Sequence, residues 1–484
     1  MVEIAQAIRR FWKRQSVTDN ASLARGTHVG IQRSRLGGAL VTAAVLSGCA
    51  TIETVRTTPY TPGERPSFAP PLLALSSGPV QRPNDSLAVD FVDLTTRTEY
   101  YHDLPGLAKL REPIEIRLAT PGFEPYVPFL RLFAEELRRE TGANIHLRPS
   151  PSPAASQIHL TFVQRGEFDL AGGSVLCFFD DGKLTIQDWL TRDRTTSQWG
   201  TPTPPRDVTV FIPIDTVPAD VLGCFYEEIT QTLGPTNDLY RLPDSIFNDE
   251  NAHFRPTPFD LLMLEVLYDE RMKPGMARNQ AQKIARTVLR ERNPEGETSA
   301  GPLIRQDRDL DDFWRAAHTA DLPRDDRIEA LDQALTKAKA LPPDDYRALA
   351  LEHEKALFND FDEAATTKVF ERLVEKYRRH AYRDPLREAL AGESYADSLI
   401  VRRQFGEYYK HSQAFIPTLA RNGLDLNVMN LECGLARAQN NLEPDSAKTL
   451  THLERCVAWV RYALGTDHPT TQEWEDIVRA YRRF

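Results

Sequence analysis

The chain has 484 residues, of which 41% are hydrophobic and 26% charged, so it can build two or three domains with sizeable cores. Its net charge is −10 and it has no basic tract suited to a phosphate backbone, which argues against nucleic acid as a partner.

Arg33 and Arg35 precede LGGALVTAAVLSGCA, an apolar stretch too short to span a bilayer. It ends in Leu46-Ser47-Gly48-Cys49, which resembles the bacterial lipobox. That resemblance implies a signal peptide over residues 1–48, cleavage before Cys49, two acyl chains on its sulfur and a third on the new amine. The other readings are a plain secretory signal or a short buried helix. Two or three acyl chains anchor firmly, at about 0.8 kcal/mol per buried CH₂. Ala50 after the cysteine resembles lipoproteins sent to the outer membrane, so the expected place is the cell envelope, facing the periplasm. Residues 1–48 carry seven basic and two acidic side chains; without them the net charge moves from −10 to about −15.

Residues 49–85 hold Pro59, Pro62, Pro66, Pro70, Pro71, Pro79 and Pro83, and predict a semi-extended tether rather than packed structure. From 86 to 292 strands and helices mix. PIEIRLAT alternates as a strand does, VPFLRLFAEELRRETG is an amphipathic helix closed by Gly142, and NIHLRP, SQIHLTFV and DVTVFIPI alternate again. The polar run NPEGETSAG at 293–301 reads as a linker. From 300 to 484 the strands give way to runs with helical spacing, such as DEAATTKVFERLVEKYRRH, and the segment around ALGTDHPTT resembles a tetratricopeptide-type helix pair. A plain helical bundle is the alternative. The expected fold is therefore an α+β domain followed by an all-α one.

With Cys49 assigned to lipid, four cysteines remain for an oxidising compartment. Cys433 and Cys456 flank the turn-like NNLEPDS, so an antiparallel hairpin would bring them level; Cys177 and Cys224 lie near the same motif, described next. Four buried free thiols are the other possibility, since spacing does not establish bond geometry.

The stretch CFYEEITQTLGPTND at 224–238 keeps the frame of the metzincin zinc-protease helix, H-E-x-x-H-x-x-G-x-x-H, without its histidines. Glu227, Gln231 and Asn237 stand at the three ligand positions, Glu228 at the general base and Gly234 at the turn. Ser245-Ile246-Phe247 resembles the Met-turn under the metal, with phenylalanine for methionine. EEITQTLGPTND, SIFND and LYDERMKPGM together resemble a proteobacterial lipoprotein family, domain of unknown function 2927, over about 86–290, with Glu270 where that family usually has proline. The resemblance implies a degenerate metzincin-like (zincin-like) domain and no known activity.

A conventional zinc site is not expected, because amides replace imidazoles. Glu227, Gln231, Asn237 and Asp238 are hard oxygen donors that would suit calcium or magnesium, or else bond one another and the backbone to fix the turn. No cofactor is expected on the second reading. His146, His159 and His253 read as structural or surface residues. The expected function is binding of a peptide, protein or polymer beside the 227–238 helix, with the later helices recruiting an envelope partner. The alternative is a hydrolase using Glu228 with a non-zinc cation or with ligands from elsewhere in the chain.

Overall fold

The computed structural model describes residues 56–98, 102–148, 152–170, 176–191, 197–248, 252–299, 307–318, 322–343, 345–358, 363–380, 384–444 and 446–482. The signal segment and Cys49 lie outside them.

The sheet is five-stranded and mixed: β1 (Ile114–Leu118), β2 (Ile145–Leu147), β3 (Ser156–Val163), β4 (Phe178–Asp181) and β5 (Asp207–Pro213). The order is β2-β1-β3-β5-β4, parallel except for the edge strand β4, which runs antiparallel to β5. Ile116 pairs with Leu147 on one side and Ile158 on the other, and Leu160 pairs with Val210. β3 and β5 are buried almost throughout, as inner strands covered on both faces must be.

Among the described residues the helices that accompany the sheet are α1 (Asn84–Thr95), α2 (Val127–Thr141), the short α3 (Arg165–Leu170) and α4 (Ile186–Thr191), α5 (Pro218–Thr232) and α6 (Pro258–Tyr268); α7 (Arg278–Arg292) packs along α1. α2 buries Leu130, Phe133, Ala134 and Leu137, an i, i+3, i+4, i+7 stripe. Its end is set by Gly142, whose φ of 74° needs no Cβ and whose N–H donates to Arg138 O.

After residue 300 the described elements are all helical: α8 (Arg308–His318), α9 (Arg324–Ala338), α10 (Arg347–Phe358), α11 (Glu363–Arg379), α12 (Pro385–Val401), α13 (Phe405–Ser412), α14 (Ile416–Arg421), α15 (Asp425–Leu442), α16 (Ala447–Leu464) and α17 (Pro469–Tyr481). Sequence neighbours pack on each other, notably α8 on α9, α11 on α12 and α15 on α16. Cys433 of α15 and Cys456 of α16 are disulfide-bonded with Cα atoms 4.6 Å apart, at matching heights on the hairpin. At the next turn Gly465 takes φ 104°, and the His468 side chain accepts from Thr470 N to start α17. None of the described helices is long and apolar enough to cross a membrane.

The two halves share buried contacts instead of meeting at a bare linker. Tyr240 stacks on Trp314 with centroids 4.8 Å apart, Asn248 donates to the Tyr346 hydroxyl at 2.8 Å, and Arg387 donates to Pro243 O at 3.0 Å. α5 itself packs against α16. The first part of the expected 293–301 linker is also tied down. The Asn293 side chain accepts from Val80 N and donates to Val80 O, closing a two-bond clasp at 3.1 and 3.0 Å.

The tether expectation is corrected for residues 56–85: residues 56–83 lie along the body as a docked strap, and 84–85 already begin α1. Arg65 pairs with Asp425 at 2.7 Å and donates to Ala420 O, while Leu73 N bonds Arg421 O at 2.9 Å. Arg255 donates to Leu73 O at 2.7 Å, and Leu75 and Val80 are buried in the main core. Proline-rich chain forms no internal ladder, so its remaining N–H and C=O groups stay available to a neighbouring surface.

Candidate functional site

α5 starts at Pro218, where a missing N–H costs nothing, and buries most of its circumference. Gly223 is required there, because a Cβ would lie 2.3 Å from the Phe254 ring. The next residue, Cys224, is disulfide-bonded to Cys177, Cα atoms 6.0 Å apart, tying the helix to the segment before edge strand β4. Tyr226 packs edge-on against Phe129 and Phe133 under the Arg255 guanidinium.

Glu227 and Gln231 share a helix face, Glu227 half-buried and Gln231 buried. Glu228 is only 5% exposed. The helix ends at Leu233, whose carbonyl accepts from the Tyr268 hydroxyl at 2.9 Å. Gly234 then turns the chain with φ 144°, pressed so closely on Ala108 that a Cβ would lie 2.5 Å from its carbonyl oxygen.

The turn brings some of the expected oxygen donors together and sends one away. The Gln231 amide donates to both carboxylate oxygens of Asp238, at 2.8 and 3.1 Å. Asn237 is fully buried and points its amide at Asp93 O of α1, 2.9 Å away. Asn237 therefore faces α1 while Gln231 and Asp238 close on each other. Among the described residues no group of three or more His, Cys, Asp or Glu side chains is placed to hold a metal.

Ser245, Ile246 and Phe247 form a second turn, held by Asp260. Its carboxylate accepts from Ser245 Oγ at 2.6 Å, Ile246 N at 3.1 Å and Thr257 N at 2.8 Å, the last as half of a capping box on α6. Burial pushes the Asp260 carboxyl up to about 6, while these hydrogen bonds pull it back down. Leu239 N bonds Phe247 O at 2.9 Å and joins the two turns.

Beneath them lies an ion network that spacing alone did not single out. Arg241 bridges Asp90 at 2.7 Å and Asp93 at 2.8 Å; Arg82 joins Asp90 at 3.0 Å to Asp244 at 2.8 Å; Arg278 also pairs with Asp93. The only hint in the sequence is the i, i+3 pair of aspartates on α1, a pattern common on solvated helices. The three histidines have ordinary partners: His159 with Asp207, His146 with Asn144, His253 with Pro243 O and Asp384.

Two surface concavities are described, and residues 227–238 line neither. One, of about 680 Å³, lies between the ends of α2, α6 and α7; its charged wall includes Arg139, Glu140, Asp269, Glu270, Arg271 and Glu291, with Tyr268 linking it to Leu233. Five acids and three arginines line it. The other, of about 430 Å³, lies at the C-terminal ends of the parallel strands under strap residues 57–61.

Residues 84–287 match the family model described as Protein of unknown function (DUF2927), which supports assigning this α+β region to that family. No curated protein and no solved structure matches the chain.

Proposed function

We propose that this is a lipid-anchored envelope protein, held through Cys49 in the outer membrane and facing the periplasm. Its α+β region is a degenerate metzincin-like domain that binds a peptide, protein or polymer, and its later helices are tetratricopeptide-like hairpins that contact a partner. The order of strand, long helix, parallel strands, antiparallel edge strand and helix supports the metzincin-like reading. One observation favours binding over catalysis. Glu228, at the general-base position, is 5% exposed on a helix covered by packed side chains, with Gln231 beside it already committed to Asp238. A water-activating glutamate has to reach solvent and shuttle a proton. The cavity of about 680 Å³, joined to the end of α5 through Tyr268, is the proposed binding place.

The test is complementation of a cell lacking the native gene. Removing a true general base costs a factor of about 10²–10⁴ in rate, whereas a binding protein tolerates Glu228→Gln, so the variant is expected to complement. Loss of function in a folded, anchored Glu228→Gln protein would return the hydrolase reading to first place. Zinc bound one-to-one after extensive dialysis would do the same.

A further inference from the structure

The docked strap changes what the anchor does. Its first described residues are stitched to the turn between α16 and α17: Arg56 pairs with Asp467, Thr61 N donates to Asp467 Oδ1 at 2.7 Å, Thr466 N donates to Thr61 O at 2.8 Å, and Gly63 N donates to Arg461 O at 3.2 Å. On its other side Pro59 presses on Gly122, where an added Cβ would lie 2.5 Å from the proline ring. Only six residues lie between Cys49 and Arg56, seven Cα-to-Cα steps with a reach of at most about 25 Å. A body of this size has a radius of gyration near 22 Å and is some 55 Å across. A leash shorter than the body's width cannot let the molecule turn over.

We propose that the end of the molecule formed by strap residues 56–61 and the Gly465–Pro469 turn rests against the bilayer surface, and that the cavity of about 680 Å³ points away from it. The proposal depends on acylation of Cys49, and it gives the proposed binding site a fixed orientation. α2 measures the separation. Its start follows Glu124 and Pro125, which line the cavity under the strap, and its end supplies Arg139 to Gly142 of the other. Fifteen residues of helix make that about 22 Å. Charge agrees with this polarity. At the strap end Arg56 pairs with Asp467 and Arg165 with Asp215, whereas the far cavity has five acids to three arginines and would be repelled by anionic headgroups. Tyr60, half-buried under Arg56, suits the headgroup layer.

The experiment uses the full-length lipoprotein in vesicles of phosphatidylethanolamine and phosphatidylglycerol with a headgroup-attached quencher. Thr57→Cys and Glu270→Cys, both at exposed positions, each take one fluorophore, since Cys177, Cys224, Cys433 and Cys456 are paired in disulfides. Mass analysis of the N-terminal peptide first establishes whether Cys49 is acylated. With the acyl chains present, the label at 57 is expected to be quenched several-fold more than the label at 270. A flexible insert of about 30 residues after Ala50 should abolish the difference. Equal quenching of the two labels in the acylated protein without the insert would overturn the orientation while leaving the anchor intact. An unacylated Cys49 would overturn both.

Discussion

The turn region after α5 and the large cavity at the end of α2 are both rich in polar groups, and they use them in opposite ways. Around 231–247 most donors and acceptors are turned inward: Gln231 on Asp238, Asn237 on Asp93 O, Ser245 on Asp260, Arg241 on two aspartates. At the cavity the charges sit at the surface and pair where solvent competes, as Arg271 does with Glu291. A buried polar network has a high energetic stake in staying complete, while an exposed one contributes little to stability and remains available to a ligand. The polar residues of the turn region thus behave as structure, whereas those at the cavity keep solvent-facing groups.

That contrast can be broken most sharply at Arg241. Replacing it with alanine leaves Asp90 and Asp93 buried with fewer partners, and the expected loss of folding stability is about 3–5 kcal/mol, read by urea denaturation. A loss under about 1 kcal/mol would mean that the network is better solvated than its burial indicates. Next in size is the Cys177–Cys224 bond, 47 residues apart in sequence. Changing both cysteines to alanine should cost about 2–4 kcal/mol, with no change in ligand capture at the far cavity.

A third test is pH-dependent. The folded-state pKa of Asp260, about 6, lies above its ordinary value of 3.8, so between those values the folded state binds the proton and the unfolded state does not. Asp260 therefore favours folding increasingly as pH falls through 6 towards 4. The stability difference between wild type and Asp260→Asn should shift toward the wild type over that window, by at most about 1.4 kcal/mol per pH unit. A difference that is flat with pH would place the proton elsewhere. The smallest effect is expected at the open end. Glu270→Lys should leave stability within about 0.5 kcal/mol yet weaken retention of a lysine-rich peptide on the immobilised protein. Unchanged retention would remove that cavity as the binding place.

Elements governed by local rules were legible in the sequence. Strand alternation, the apolar stripe of α2 and its Gly142 stop, and the hairpin that levels Cys433 with Cys456 each depend on residues close along the chain. Side-chain destinations were not legible. Nothing local tells Asn237 to bond an α1 carbonyl while its neighbour Asp238 takes Gln231, because that choice is made by where α1 packs. Seven prolines between 59 and 83 ruled out helix and sheet ladder, but not docking, because partners such as Ala420 and Asp467 are 355 and 411 residues away in sequence.

Those distances also order events in time. Arg56 and its partner Asp467 are 411 positions apart, so the first residues of the strap have no seat until the turn before α17 has been made. Until then the strap residues and the surface that receives them stay uncovered. A chain cut short before α16 would leave the strap's first contacts unmade. Closing this long loop carries the entropic cost of joining residues far apart in sequence, so the strap's first contacts depend on α16 and the turn after it being in place.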